Sequence, residues 1–237
     1  MTDYLPVIIT SRMGSSRFPG KTLSKINGVP MIEFIVDRLN KSNRVSDICI
    51  ATTRKKEDDE LIEWVNKKGI KYFRGSENNV LNRILNAANE FNYQSFIEVL
   101  GDNPIVDINM LNATFELFFN NELDYAATAT NEYPIKEYPG RRFPIGSRIQ
   151  IMKRSALELA NKLVVSDYNK EHATTYIIEN LGLFKNDLVY AENSFHNYNY
   201  PKLTFAVNLE SNIELINILD KRLTKKNIEY NLSDVIK

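Results

Sequence analysis

The chain has 237 residues, and its 30 lysines and arginines balance 30 aspartates and glutamates, so the formal net charge is zero. A balanced charge argues against a broad surface for nucleic acid or an anionic membrane, so any polyanion site has to be local. The single cysteine, Cys49, excludes an intramolecular disulfide and a cysteine-based zinc site. Because no charged and then apolar leader and no membrane-length apolar run are present, we expect a cytoplasmic protein.

The most distinctive segment follows the first predicted strand. Residues 5–9 form a short apolar run that predicts a buried strand. After it, small residues alternate with three cations in the order Arg12-Met13-Gly14-Ser15-Ser16-Arg17-Phe18-Pro19-Gly20-Lys21. Small residues let backbone N–H groups approach an anion, and the cations offset its charge. The segment therefore predicts a triphosphate-binding loop, with a solvated basic turn as the alternative.

This loop resembles the Arg-Met-Gly-Ser-Thr-Arg-Leu-Pro-Gly-Lys signature of the cytidylyltransferase-like proteins of the spore coat polysaccharide biosynthesis protein F type, which are relatives of the CMP-KDO synthetases. The resemblance implies a single Rossmann-like α/β domain of the nucleotidyltransferase type over residues 1–237. It also implies that Arg12 and Lys21 are catalytic and hold the nucleotide phosphates, while the loop backbone helps to seat the base. The other nucleotide-binding residues implied in the loop are Met13, Gly14, Ser15 and Ser16.

The elements after the loop alternate between helix and strand. Apolar residues recur at helical spacing in residues 30–39 and 58–68, which predicts amphipathic helices on a sheet. Residues 45–52 and 70–73 are short apolar segments that predict strands. This order predicts a mostly parallel central sheet flanked by helices, with right-handed crossovers.

Residues 74–83 open a further helix, for which Ser76 is the expected N-cap. The segment resembles the family motif Arg-Gly-Ser-Glu-Asp-Asp-Val-Leu-Gly-Arg, with two asparagines where acidic residues are usual. A helix that begins here faces the same edge of the sheet as the first loop. The resemblance implies that Arg74 contacts the nucleotide. The alternative is that Arg74 and Arg83 are solvated surface residues.

A carboxylate follows the next predicted strand, residues 95–100. The sequence there is Gly101-Asp102-Asn103-Pro104-Ile105-Val106-Asp107, which is similar to the family pattern Gly-Asp-x-Pro-Leu-Ile-Asp. An aspartate one glycine past a buried strand lies at the carboxyl edge of the sheet, where a divalent cation can sit between carboxylate and phosphates. The resemblance implies that Asp102 is catalytic, contacts the nucleotide and binds Mg²⁺; alternatively, it only orders the turn. Asp107 is expected to cap a helix that begins near Asn109.

Residues 131–148 are rich in proline and aromatic residues, so a helix is not expected there. We interpret them as an excursion over the active-site edge that contributes to the acceptor pocket or to a dimer contact, with an ordinary long loop as the alternative. The alternation after Gly146 predicts a strand and resembles the family's Tyr-Pro-x-Gly-Leu-Asp-Val-Glu-Val-Phe. Arg148 and Gln150 replace its two acids. If their face lines the acceptor site, Arg148 binds an anionic acceptor.

Two later motifs complete the candidate site. Glu171-His172-Ala173-Thr174-Thr175-Tyr176-Ile177 resembles the family's Glu-His-Val-Thr-Pro-Tyr-Ile, so His172 is a candidate acceptor contact, with helix-start packing as the alternative. Residues 203–215 resemble Leu-Thr-Val-Asp-Thr-Pro-Glu-Asp-Leu-Glu-Leu, whose first aspartate partners the earlier one at the metal. Asn208 stands at that position and supplies an oxygen without charge. Cation binding is then weakened unless Glu210, on the same predicted strand face, substitutes.

The resemblance implies that a hydroxyl of a sugar or sugar acid attacks the α-phosphate of CTP and yields a CMP-sugar and pyrophosphate. Such a product serves the synthesis of a surface polysaccharide or glycan, and a homodimer is the expected assembly. One alternative is a glycosyltransferase that uses a nucleotide sugar, although Gly101-Asp102-Asn103 lacks the second acid of its usual Asp-x-Asp motif. Another alternative is a nucleotide-binding protein that lost turnover with the change at Asn208.

Overall fold

A computed structural model describes residues 3–132, 140–225 and 230–236. The strands are β1 Leu5–Thr10, β2 Lys25–Ile26, β3 Val29–Pro30, β4 Val45–Thr53, β5 Lys71–Gly75, β6 Ser95–Leu100, β7 Tyr125–Thr128, β8 Ile149–Lys153 and β9 Asn186–Val189. The α-helices are α1 Met31–Leu39, α2 Asp59–Lys68, α3 Val80–Glu90, α4 Ile108–Asn120, α5 Arg154–Leu163, α6 Asp167–Glu171, α7 Thr175–Glu179, α8 Glu210–Thr224 and α9 Leu232–Ile236. Within these ranges, no helix has the length and apolarity needed to cross a membrane.

Seven strands form the central sheet in the order β5-β4-β1-β6-β8-β7-β9, while β2 and β3 pair in a separate hairpin. The strands β5, β4, β1 and β6 are parallel to one another, which confirms the mostly parallel sheet predicted from the sequence. β8 runs antiparallel to both β6 and β7, and β7 pairs with β9 in parallel. The carboxyl ends of β1 and β6 therefore lie side by side at one edge of the sheet.

The apolar residues of β1 are buried on both faces of the sheet. Val7 and Ile9 point into a core that includes Ile35 of α1, whereas Ile8 points into a second core that includes Ile84 of α3. All three β1 residues are fully buried. Alternate side chains of a strand point to opposite faces, so a continuous apolar run requires helices on both sides. This burial explains why residues 5–9 carry no polar position.

The helix that follows the Asp102 turn begins as predicted. The Asp107 carboxylate accepts hydrogen bonds from the Asn109 and Met110 N–H groups at 2.8 and 3.0 Å and caps α4. The cap predicted for α3 was wrong: Asn79, not Ser76, is its N-cap. The Ser76 hydroxyl accepts from the Asn79 N–H instead, which leaves the start of α3 one turn later than expected.

The predicted excursion over residues 131–148 falls partly on residues 133–139, which lie outside the described residues. The described part is tied to two other segments by backbone hydrogen bonds. The Phe143 N–H donates to the Ala129 oxygen at 2.8 Å, and the Ile145 N–H donates to the Leu203 oxygen at 2.9 Å. The Phe205 N–H returns a bond to the Ile145 oxygen at 2.8 Å. Residues 143–145 therefore join the end of β7 to the segment before Asn208.

Gly146 is the residue that permits this close approach. Its φ of +85° is in the left-handed region, and a Cβ atom there would lie 2.1 Å from the Ala206 nitrogen. We expect Gly146→Ala to lower the free energy of unfolding by about 3 kcal/mol, since backbone strain and a backbone clash add. Gly28→Ala is the matched control, because Gly28 has a φ of +91° but nothing within 4 Å of its Cβ position.

We expect the control to lose about 1 kcal/mol, the backbone strain alone. Urea unfolding of both variants measures the difference. Equal losses in the two variants would contradict the close packing of residues 145–146 on residues 203–206.

Candidate active site

The predicted triphosphate loop, residues 11–21, is held to the sheet by a buried carboxylate. Asp58 is fully buried, and its Oδ1 accepts from the Met13 N–H at 2.6 Å. Its Oδ2 accepts from both the Thr53 N–H and the Thr53 hydroxyl at the end of β4. Asp58 thus fixes the first turn of the loop against the neighbouring strand. The sequence placed Asp58 only at a helix start, and nothing in its spacing revealed this second role.

Lys21 is positioned where the chain returns from the loop to the sheet edge. Its Nζ donates to Asp102 Oδ2 at 2.8 Å and to the Val207 backbone oxygen at 2.7 Å. The Val207 N–H donates to the Asp102 backbone oxygen at 2.8 Å. Three segments that are distant in sequence therefore meet at one ammonium group. A fixed ammonium can bind a phosphate oxygen, and the carboxylate beside it can bind a divalent cation that contacts the same phosphate.

The close approach of β6 to β1 at this point requires a glycine. The Gly101 N–H donates to the Thr10 oxygen at 2.8 Å, and a Cβ on Gly101 would lie 2.5 Å from Ser11 Oγ. No other residue type fits without moving the start of the loop. The glycine before Asp102 therefore sets the distance between this carboxylate and the loop.

A cavity of about 440 Å³ opens above these groups. It is bounded by the loop, by the ends of β1 and β6, by the start of α3, by the end of α6 and by Asn208. Its lining residues are Thr10, Ser11, Arg12, Ser15, Ser16, Arg17, Lys21, Glu77, Val80, Arg83, Leu100, Gly101, Asp102, Glu171, His172 and Asn208. Seven residues predicted from the sequence are among them: Arg12, Ser15, Ser16, Lys21, Asp102, His172 and Asn208.

The cations around the cavity pair with polar or acidic side chains. A bound ligand can replace these partners with its own oxygens. Arg12 Nη1 lies 3.3 Å from Glu77 Oε1, and Lys55 Nζ lies 2.7 Å from Glu77 Oε2. Arg17 Nη2 donates to Asn208 Oδ1 at 3.2 Å. Sequence reasoning missed Glu77, because a glutamate near a helix start is common for reasons that have no relation to a ligand. A loop of cations at the carboxyl edge of a parallel sheet is suited to a polyphosphate.

Comparison with known proteins decides the family. The cytidylyltransferase family model matches residues 6–229. The chain belongs to the cytidylyltransferase family. The match covers the loop, the Asp102 turn and the segment that ends at Asn208.

Three proteins show how far the similarity extends. Spore coat polysaccharide biosynthesis protein SpsF of Bacillus subtilis is 28% identical over 224 residues, which are 92% of this chain and 87% of that protein. A cytidylyltransferase structure from Leptospira borgpetersenii has a TM-score of 0.84 and 26% identity, covering 98% of this chain and 91% of its own. A CMP:2-keto-3-deoxy-manno-octonic acid synthetase complexed with CTP shares the fold, with a TM-score of 0.65 and 18% identity, over 92% of this chain and 99% of its own. The predicted family and fold are confirmed.

Arg74 does not line the cavity of this cytidylyltransferase. Its Nε donates to the Thr53 oxygen at 2.8 Å and its Nη2 to the Lys55 oxygen at 2.6 Å, while Nη1 pairs with Asp59 at 2.7 Å. These contacts brace the loop between β4 and α2. The nucleotide contact that the resemblance implies for Arg74 therefore has no support from its position.

Met13 and Gly14 lie on the other side of the loop, where they line an adjoining depression with Glu57 and Glu60. Glu210 is exposed as the first residue of α8 and lies outside the cavity lining. The prediction that Glu210 shares a strand face with Asn208 was wrong, because α8 begins there. A helix start turns the chain away from the cavity, so Asn208 and Glu210 do not act as a pair on one face.

Of the three metal ligands predicted from the sequence, Asp102 and Asn208 line the cavity and Glu210 does not. Among the described residues, no group of three or more histidine, cysteine, aspartate and glutamate side chains is suited to a metal ion. Mg²⁺ in enzymes of this kind is commonly bound by one or two carboxylates together with substrate phosphates and waters. One carboxylate and one amide oxygen beside a phosphate loop fit that requirement.

Arg148 and Gln150 lie in the interior rather than on the cavity surface. Arg148 is 1% exposed, and its Nη2 donates to the Tyr125 hydroxyl at 2.7 Å. Gln150 is 2% exposed, and its Nε2 donates to Glu98 Oε2 at 2.7 Å. β8 lies between β6 and β7, which pair with both of its edges, and the side chains from Ile149 to Met152 are buried on both faces. The structure therefore does not place their face in an acceptor site.

The interior network reaches the cavity at two points. The Thr10 hydroxyl, at the cavity floor, donates to Glu98 Oε1 at 3.3 Å. The Thr174 hydroxyl donates to Gln150 Oε1 at 2.8 Å, two residues after His172. Gln150 therefore connects the floor with the segment that carries His172. We infer that its contribution to the site is to position that segment.

Glu98 provides a test of this network through pH. Burial raises the pKa of Glu98 from 4.5 to about 7, although the nearby Arg148 opposes that rise. A carboxyl whose pKa is raised by folding favours the folded state most below pH 4.5, and this contribution is lost as the pH rises to about 7. Glu98→Gln removes the charge and keeps the shape, because Gln150 can still donate to its oxygen and the Thr10 hydroxyl can accept from its amide.

We expect Glu98→Gln to gain stability relative to the unchanged protein as pH rises, by about 3 kcal/mol between pH 4.5 and 8. Urea unfolding of both proteins at these two pH values measures the change. Burial also raises the pKa of Glu132, so some pH dependence remains in the variant. A difference between the two proteins that does not vary with pH would contradict the prediction.

Proposed function

We propose that this cytidylyltransferase couples CTP to a hydroxyl of a sugar acid, with release of pyrophosphate. The acceptor oxygen attacks the α-phosphorus of CTP, and the bond from that phosphorus to the oxygen bridging the α- and β-phosphates breaks. The products are a CMP-linked sugar acid, pyrophosphate and the proton of the hydroxyl. Similarity to a spore coat polysaccharide biosynthesis protein supports a product used in glycan synthesis.

The observation that carries this proposal is the position of Lys21. Its Nζ bridges Asp102 Oδ2 and the Val207 oxygen at the end of the phosphate loop. Phosphoryl transfer depends mainly on positioning and on neutralising charge, and a fixed ammonium supplies both. In the alternative of a solvated basic turn, the lysine would extend into water rather than contact a carboxylate at the edge of the sheet.

The other residues of the cavity divide into two groups. Arg12, Arg17 and Lys21 offset the charge of the triphosphate, while the loop backbone around Ser15 and Ser16 approaches it. His172 lies on the opposite wall with Glu171, where it contacts the acceptor or holds the proton of its hydroxyl. Asp102 and Asn208 would hold Mg²⁺, which supplies Lewis-acid stabilisation of phosphate charge when it is bound. A homodimer and a cytoplasmic location stay predictions.

Nucleotide binding is the first test. We would titrate the protein with CTP, UTP, ATP and GTP in a calorimeter, with and without Mg²⁺. The proposal expects CTP to bind most tightly and Mg²⁺ to strengthen that binding. Lack of a preference for CTP would contradict it.

Pyrophosphate release is the second test, with 2-keto-3-deoxy-manno-octonic acid as the first sugar acid because a synthetase named for its CMP derivative shares the fold. Release that requires CTP, Mg²⁺ and an added acid supports the transferase. The alternative is a protein that binds nucleotide without turnover. It rests on Asn208, which stands where the family has a second aspartate and which accepts a hydrogen bond from Arg17. CTP binding that ignores Mg²⁺, without release for a panel of sugar acids, would favour that alternative.

A further inference from the structure

Arg83 is a cation of the cavity that the sequence motifs did not assign to any role. It lies on the first turns of α3, opposite the phosphate loop, and it lines the cavity beside Val80 and Glu77. The residue is only 3% exposed. Its stem packs against Gly75, where a Cβ would lie 2.7 Å from Arg83 Cγ. The aliphatic part of the Arg83 side chain is therefore buried, and the residue reaches the cavity wall.

The guanidinium group is only partly satisfied. Nη1 donates to the Ser76 backbone oxygen at 2.6 Å and weakly to the Glu77 backbone oxygen at 3.5 Å. Nε is inaccessible to water and has no hydrogen-bond partner. Within the part of the chain that the structure describes, Nη2 donates to no group and no carboxylate forms an ion pair with Arg83. A buried guanidinium without a direct ion-pair partner is costly, and an anion bound in the cavity would lower that cost.

The charges nearby identify the side of the cavity from which this anion comes. Burial and the charge of Arg12 lower the pKa of Arg83 to about 10, although Asp58, Glu98 and Glu77 oppose that fall. Arg12 belongs to the phosphate loop and lines the same cavity as Arg83. Glu77 directs its carboxylate to Arg12 and Lys55 and offers Arg83 only its backbone oxygen. Two guanidinium groups that repel each other are both stabilised by a phosphate between them.

We propose that Arg83 binds a phosphate oxygen of the nucleotide together with Arg12, so that the triphosphate is held from both walls of the cavity. This inference rests on the proposed function, since it requires CTP as the ligand. Ser76 anchors one edge of the guanidinium and leaves the Nη2 edge for the phosphate. Because the side chain is already ordered, the contact costs little side-chain entropy when the nucleotide binds.

The test compares CTP with cytidine, which has no phosphate. We would measure both dissociation constants by calorimetry for the unchanged protein, Arg83→Met and Arg83→Lys. Methionine keeps much of the stem volume against Gly75, and lysine keeps the charge but loses the planar fork. Arg154→Met is the matched control, because Arg154 lies at the start of α5 and outside the cavity lining. Thermal unfolding of each variant shows whether it is folded.

We expect Arg83→Met to weaken CTP binding by about 10- to 100-fold and cytidine binding by less than about twofold. Arg83→Lys should show an intermediate loss for CTP, and it serves alone if Arg83→Met does not fold. Unchanged CTP binding, or equal losses for CTP and cytidine, would overturn the proposal. Failure of the unchanged protein to bind CTP would instead remove the proposed function, so the two failures are distinct.

Discussion

Asp102→Asn is expected to lower the rate of pyrophosphate release by about 10³-fold, while the protein stays folded. The amide oxygen can still accept from Lys21 Nζ, so the contact that closes the phosphate loop survives. The negative charge is lost, and a carboxylate with a divalent cation is commonly worth several kcal/mol to the transition state. We also expect Mg²⁺ to stop strengthening CTP binding in this variant. Initial rates and calorimetry with and without Mg²⁺ measure both effects.

Asp124→Asn is the control for this variant. Asp124 Oδ1 and Lys153 Nζ form a similar pair at 2.9 Å, outside the cavity lining. Removing its charge should leave pyrophosphate release within about twofold, since exposed ion pairs contribute little. Full activity of Asp102→Asn would remove this aspartate from the catalytic residues, and the Lys21 contact would then have only a structural meaning.

Arg148→Met is expected to produce the largest loss of stability, about 3–5 kcal/mol near neutral pH. Arg148 is the buried cation whose charge opposes the raised pKa of both Glu98 and Glu132. Without it, two carboxyl groups remain in the interior, and ionising them there is costly. For a chain of this length we expect the melting temperature to fall by about 10 °C at pH 7.5 and by less at pH 5, which is below the pKa of about 7 that burial gives Glu98.

Two further variants show whether this loss comes from the buried charges. Arg154→Met removes an arginine at the surface and should change stability by less than about 0.5 kcal/mol. Adding Glu98→Gln to Arg148→Met should recover part of the loss, because it removes one of the uncompensated carboxyls. A stable Arg148→Met protein with a raised KM for the acceptor would instead restore the acceptor role that the sequence pattern indicated.

The sequence alone predicted β1, α1, β4, α2, β5 and β6 close to their observed bounds, and it predicted which motifs follow the strands, but it placed the start of α3 one turn too early. Burial on both faces requires a continuous apolar run, and this run predicted β1. The Gly101-Asp102 turn was predicted because it directly follows another predicted strand, residues 95–100. The cap at Asp107 was predicted for the same local reason, since it depends on residues within one helical turn. The cap predicted at Ser76 was wrong, because the Asn79 side chain, three residues later, accepts the capping bond from the Asn82 N–H.

Tertiary structure decided what a local pattern cannot contain. The alternation around Arg148 and Gln150 reveals two faces of a strand, but not that β8 lies inside the sheet with the side chains of both faces buried. Glu210 was misplaced because a strand period was extended across the residue at which α8 begins. Asp58 and Glu77 gave no signal, because their partners lie on other segments of the chain, and the surface position considered for Arg83 was wrong because its side chain is buried.

The sequence by itself determined the family, the order of its motifs and the residues that follow the first and the central strand. Only the folded chain decided which of those residues share a cavity and which became interior supports. The reason is physical: a strand or a cap depends on neighbours along the chain, whereas a site depends on distances between segments. The Lys21 Nζ lies within 3 Å of Asp102 Oδ2 and of the Val207 oxygen because the fold brings together the end of the phosphate loop, the turn after β6 and the segment before α8. No spacing in the sequence encodes those distances.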